Sequence, residues 1–106
     1  VVLFLTHLIH LKMMKKMINR PTKAQRERWG RIASLGCIVC GLPAQIHHCF
    51  TSMGCRKNHD HVIPLCEMHH VGHGYGVSLH DGKAEFEERH GTEAALLEKV
   101  SRLVDL

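Results

Sequence analysis

Two pairs of soft metal ligands, Cys37-Ile-Val-Cys40 and Cys66-Glu-Met-His69, constrain more than anything else what this chain can fold into. In each pair two residues separate the ligands, the spacing at which a tight turn brings both ligand atoms to one ion. Four such ligands complete a tetrahedral zinc site, and closing it joins segments far apart in sequence. Around them, residues 46 to 74 concentrate seven histidines and three cysteines, more polar side chain than an apolar core accepts. At 106 residues the chain is one small domain with a marginal core, so a metal supplies stability that burial alone does not. Five cysteines, an odd number, argue against a purely disulfide framework and fit cytosolic thiolates.

The net charge of +4 is unevenly spread. Lys12, Lys15, Lys16, Arg20, Lys23, Arg26, Arg28 and Arg31 crowd a segment whose single acid is Glu27. A basic arm before a compact domain suits a polyanion, most simply nucleic acid, although a solvated helix face would look the same. The apolar opening VVLFLTHLIHL has no basic residue ahead of it and is too short to span a bilayer. Residues 1–12 read as an upstream extension or loosely packed leader, with a membrane-surface helix as the minor alternative. The expected organisation is an extension over 1–20, apolar and then basic, followed by a zinc-stabilised domain over 21–106.

Local signals place the elements. Thr22, with Gln25 three positions on, predicts a capping box opening a helix that buries Trp29, Ile32 and Ala33 and ends at Gly36. After the first ligand turn a strand is expected from Ala44 to Phe50, and a second over Val62-Ile63-Pro64-Leu65, its proline suited to a strand edge. Cys66 to His70 begins a helix that VGHGYG cuts short. Two helices follow, Lys83 to Arg89 around Phe86, and one from Thr92 with an apolar stripe of Leu96, Leu97, Val100, Leu103 and Val104.

A closed tetrahedral site leaves no coordination position for chemistry, so catalysis by a metal has to use the remaining histidines. His47 and His48 are adjacent on the first strand, where neighbouring side chains take opposite faces. His70 and His73 are spaced to share one helical face. The order Cys-x-x-Cys, His-His on a strand, then Leu-Cys-x-x-His-His entering a helix resembles the HNH nucleases with their ββα-metal fold. From about Lys23 to Val100, through GCIVCGLPAQIHHC, GCRKNHDHVIPLCEMHH and GVSLHDGKAEFEERHGTEAALL, the chain is similar to the phage Ref (recombination enhancement function) family of RecA-dependent HNH endonucleases.

The resemblance implies an α+β fold: a small ββα-metal domain stabilised by the zinc-knuckle site and flanked by N- and C-terminal helices. It implies His48 as the general base, and His47, His70 and His73 as ligands of a catalytic divalent ion, Mg²⁺ or another. Phosphodiester cleavage calls for a base titrating near neutrality and for a cation to neutralise the leaving oxygen. Either Lys57 or Arg56 would clamp the phosphate. Lys23, Arg26, Arg28 and Arg31 would contact the DNA backbone, with Arg56 and Lys57 beside them. The middle asparagine of the HNH pattern has no secure counterpart, which leaves Asn58, Asp60 or His61 to orient His48.

Cys49 and Cys55 with loop histidines would form a second structural zinc site, or remain buried thiols. His80 either reaches a metal or caps a turn, and His90 is expected in solvent. The function this implies is a metal-dependent DNA endonuclease in phage recombination, acting with a RecA filament in the bacterial host cytoplasm. The alternative is a catalytically inactive zinc-stabilised nucleic-acid-binding module, which needs the ligand turns and the basic arm but not the surplus histidines.

Overall fold

A computed structural model describes residues 20–49, 58–74 and 76–105 of the chain. The expected extension, apart from Arg20, lies outside the described residues, as do Cys55, Arg56 and Lys57.

Helix α1, Lys23–Ser34, starts where its capping box puts it. The Thr22 hydroxyl accepts from the Gln25 amide at 3.1 Å, and the Gln25 side chain accepts from the Thr22 amide at 2.8 Å. Two orphan donors of the first turn are thereby satisfied. Gly36 follows at φ +78, and the chain turns into the first ligand pair, closed by Gly41 N–H donating to the Cys37 carbonyl at 2.8 Å.

Strands β1 (Gln45–His48) and β2 (Val62–Leu65) form an antiparallel ribbon in which Ile46 faces Pro64 and His47 faces Ile63. The Pro64 carbonyl accepts from Ile38 N–H at 2.9 Å. A residue's N–H and C=O leave a strand on the same side, so the donor that proline lacks faces away from β1. β1 is shorter than the expected Ala44–Phe50, although Cys49 N–H still donates to the His61 carbonyl at 2.9 Å.

One helical turn, α2 (Glu67–His70), leaves β2 at Cys66, and a 3₁₀ turn spans Leu79–Asp81. Helices α3 (Lys83–His90) and α4 (Glu93–Val104) finish the fold, the latter capped by Thr92 accepting from Ala95 N–H at 3.1 Å. This is a small α+β arrangement, a two-stranded sheet with helices on it. Ile32, Val62, Ile63, Leu65, Phe86, Leu96 and Val100 make the core, with Leu97 and Val104 packed on its margin. The stripe expected on α4 is corrected at Leu103, which is 53% exposed in the last turn. Arg28 joins α1 to the end of α4 through a two-pronged ion pair with Asp105, at 2.9 and 2.7 Å. Among the described residues no helix is long and apolar enough to cross a membrane.

Gly36 and Gly41 both hold positive φ, but a Cβ on Gly36 would lie 2.5 Å from the Gly41 carbonyl oxygen, whereas one on Gly41 meets nothing within 4 Å. Gly41→Ala should therefore cost only the left-handed strain of about 1–2 kcal/mol. Gly36→Ala should cost more, roughly 2–4 kcal/mol once the clash is added. Urea unfolding of the two zinc-loaded variants checks the order, and equal losses would mean the Gly36 turn relaxes freely.

Candidate metal centres

The first ligand turn and the β2–α2 junction bring Cys37, Cys40, Cys66 and His69 together, with all four ligand atoms within 4.8 Å of one another. Cys37 Sγ lies 3.7 Å from His69 Nδ1, Cys40 Sγ lies 3.6 Å from Cys66 Sγ, and Cys66 Sγ lies 3.2 Å from His69 Nδ1. Bonds of about 2.3 Å to sulfur and 2.0–2.1 Å to nitrogen around a tetrahedral zinc give edges of roughly 3.5–3.8 Å. The first two separations match, and the third closes up by a few tenths of an ångström. All of these cysteines are free thiols.

The backbone prepares the set. Burial pushes the Cys37 thiol up, but amides of Cys66, Val39 and Cys40 outweigh it and bring it below its ordinary value. At Cys40 the Leu42 amide pulls down, yet desolvation and the neighbouring thiols of Cys66 and Cys37 leave it raised. The protons of the crowded thiols are what a cation would displace. Desolvation and then His90 lower His69, keeping it a neutral ligand. His90, expected in solvent, instead packs edge-on to His69 at 5.5 Å and against Phe86 at 4.8 Å.

A second group forms on the β1 face that carries Gln45, His47 and Cys49, alternate residues of the strand. There the ligand nitrogens of His47, His70 and His80 converge. His47 Nδ1 is 3.2 Å from His70 Nε2, which is 3.1 Å from His80 Nε2. Two of the rings have their tautomers fixed from behind. His47 Nε2 meets Glu93 Oε1 at 3.0 Å, and a carboxylate only accepts, so the ring proton sits on Nε2 and Nδ1 keeps its lone pair. His70 Nδ1 meets the Gln45 amide oxygen at 3.0 Å, so Nε2 is its unprotonated nitrogen.

Desolvation lowers both rings, at His47 against the pull of Glu93 and at His70 together with His47 and His80. Neutral rings with these tautomers aim two lone pairs at each other, an arrangement that a cation between them satisfies. Metal–nitrogen bonds of about 2.0–2.1 Å give nitrogen separations of roughly 2.9–3.4 Å, so the donor set fits. Imidazole donors suit zinc, cobalt or nickel better than Mg²⁺, which prefers oxygen.

His73 is corrected out of this group. α2 ends at His70, Val71 is extended at φ −155 and ψ 147, and Gly72 turns at φ +89, so His73 does not continue the helical face. His73 is exposed, its amide donating to Ser78 Oγ at 2.9 Å. His80 takes the place, on a turn fastened when Asp81 Oδ2 accepts from the amides of Gly72 and Gly74 at 2.8 and 3.1 Å.

His48 leaves β1 on the opposite face, because the ribbon is regular and no bulge redirects it. Its Nε2 lies 3.0 Å from His59 Nδ1, and both rings stand edge-on to Trp29, at 5.3 and 5.5 Å. The residue meeting His48 is thus His59, held by Trp29 Nε1 donating to its carbonyl at 2.8 Å. Asp60 instead accepts from Gln25 at 3.2 Å, and Asn58 Oδ1 accepts from the Asp60 amide at 2.9 Å.

Lys23, Arg26 and Arg31 are exposed on α1, but Arg28 is committed to Asp105 and to the Asp60 carbonyl, at 3.1 Å. Cys49 sits with His47 and Glu93, all three buried. Burial, then the charge of Glu93, push its thiol up to about 12. Among the described residues Cys49 thus groups with His47 and Glu93 and not with His59 or His61, while Cys55, its expected partner in a second structural zinc, lies outside them.

Glu93 and Gln45 had no signal of their own in the sequence. Glu93 reads there as an acid suited to a helix start, and only the fold turns it toward His47. The family model described as Protein of unknown function (DUF968) matches residues 6–104. No curated protein matches the chain.

Cys66→Ser should abolish retained zinc and lower the melting temperature sharply, because a structural zinc supplies folding free energy outright. Cys49→Ala should keep full zinc content and cost only about 1 kcal/mol. Metal analysis after gel filtration, beside a thermal melt, distinguishes them. Zinc loss in Cys49→Ala would show that the buried thiol is a ligand after all.

Proposed function

Starting from a chain that belongs to the DUF968 family, we propose that it is a metal-dependent DNA endonuclease of the HNH type, hydrolysing phosphodiester bonds. The observation that carries this is the convergence of His47, His70 and His80 beside a separate, complete four-ligand site. A binding module stabilised by one zinc has no use for the second group. The ββα-metal reading is supported by the order of parts: β1 with its histidine pair, β2, then a helix whose first turn delivers a ligand to each site.

A divalent ion at the three histidines would supply Lewis-acid charge to a phosphoryl oxygen. The chain's own residues do the rest. Glu93 and Gln45 hold His47 and His70 in the tautomers that point their lone pairs inward. The Asp81 clamp on Gly72 and Gly74 holds the turn that presents His80. His48 is the general base of this reading, and its bond to His59 lets one ring take a proton while the other passes it on. The base and the histidine group lie on opposite faces of β1, so the scissile phosphate has to reach round that strand to meet both. Lys23, Arg26 and Arg31 offer backbone contacts without sequence choice, and Arg28 drops out of that role. The likeness to Ref endonucleases adds a RecA filament as partner, with cleavage in RecA-formed DNA complexes.

Purified protein should nick single-stranded or RecA-coated DNA with Mg²⁺, Mn²⁺ or Co²⁺. His70→Ala and His48→Ala should each lose about 10²- to 10⁴-fold in rate while keeping one zinc and the wild-type melt. If His70→Ala cuts like wild type, the three-histidine site is not catalytic. If His48→Ala alone cuts like wild type, the base lies elsewhere. DNA binding without cutting under every metal would favour the inactive binding module.

A further inference from the structure

Behind the three-histidine group Glu93, which holds the His47 tautomer, also meets a lysine that the proposed reaction does not use. Glu93 is almost fully buried, with one carboxylate oxygen 3.0 Å from His47 Nε2 and the other 3.6 Å from Lys83 Nζ. We propose that Glu93 and Lys83 together set how tightly the three-histidine site holds its ion. Glu93 is a positioning residue acting through His47, and Lys83 is the counter-charge that restrains it. The inference rests on reading His47, His70 and His80 as a metal site.

The physical argument has three parts. A carboxylate behind an imidazole fixes which nitrogen is the ligand and makes that nitrogen a stronger donor. Among the described residues Glu93 supplies this carboxylate to His47, whereas His70 leans on the neutral amide of Gln45. The Lys83 ammonium draws on the same carboxylate from the other side, and so weakens what Glu93 gives to His47. Lys83 also stands at the first residue of α3, where the helix dipole disfavours a cation. Its place there is accounted for by Glu93 and not by the stability of its own helix. The lysine side chain is 48% exposed, so its ion pair is screened and its restraint is modest.

The two residues therefore have opposite signs, which a purely structural ion pair does not. Glu93→Gln keeps shape and an acceptor but removes the charge, and Lys83→Met removes the cation while keeping the stem. Protein already carrying one zinc is titrated with Co²⁺, following its absorbance, with thermal melts in parallel. Glu93→Gln should bind Co²⁺ about 10- to 100-fold more weakly. Lys83→Met should bind it roughly two- to fivefold more tightly, the scale of a half-exposed ion pair. Equal weakening in both variants, or no change in either, would overturn the inference and leave the pair as a fastener between α3 and α4. Wild type taking up no second ion would overturn it together with the metal reading beneath it.

Discussion

The fold depends on one turn of helix. α2 has four residues, far too few to persist on its own side-chain and backbone energies, because nucleating a helix fixes several residues for a single hydrogen bond. A metal in the four-ligand set would hold it, because Cys66 stands just before it and His69 within it, and both meet Cys37 and Cys40 of the first ligand pair. The same turn carries His70 one residue later. Closing the four-ligand site thus also aims a nitrogen at His47 and His80. One local geometry serves two sites.

Much that depended on near neighbours was legible in the sequence. The capping box at Thr22 and Gln25, the ligand turns, both strands and the helix cap at Thr92 follow from residues within four positions of one another. What escaped was the choice among chemically equivalent residues. His73 and His80 are both histidines downstream of α2, and helical spacing favoured the first. The geometry favours the second, because Val71 and Gly72 end the helix and Asp81 ties back the loop that brings His80 round. Arg28 looked like its neighbours Arg26 and Arg31, yet it alone of these meets Asp105, a partner seventy-seven positions away. Glu93 and His59 belong to the same class: ordinary in sequence, decisive once packing chooses what stands beside them.

β1 divides the molecule's polar interior into two rooms. On one side Gln45, His47 and Cys49 face α2, the 3₁₀ turn and the start of α4. On the other, His48 meets His59 and Trp29 of α1. On a strand without a bulge adjacent side chains leave on opposite faces, so two consecutive histidines meet different neighbours in space. The buried thiol of Cys49 completes the first room, its ionisation opposed by burial and by the Glu93 carboxylate.

The charges separate the two ligand sets by what each can attract. Three thiolates around a divalent ion overcompensate it, leaving a net negative, shielded and saturated centre, which suits a fastener and repels phosphate. Three neutral imidazoles leave the whole charge of an ion uncancelled, apart from the carboxylate of Glu93 standing behind His47, itself drawn on by Lys83. A centre of that kind draws anions and retains coordination positions for them. The positive surface of α1, once Arg28 is withdrawn into its ion pair, rests on Lys23, Arg26 and Arg31. On the proposed reading, attraction of a polyanion and polarisation of one of its phosphates would fall to different parts of the fold, long-range charge to α1 and short-range charge to the histidines. A phosphodiester backbone is the substrate class that would engage both.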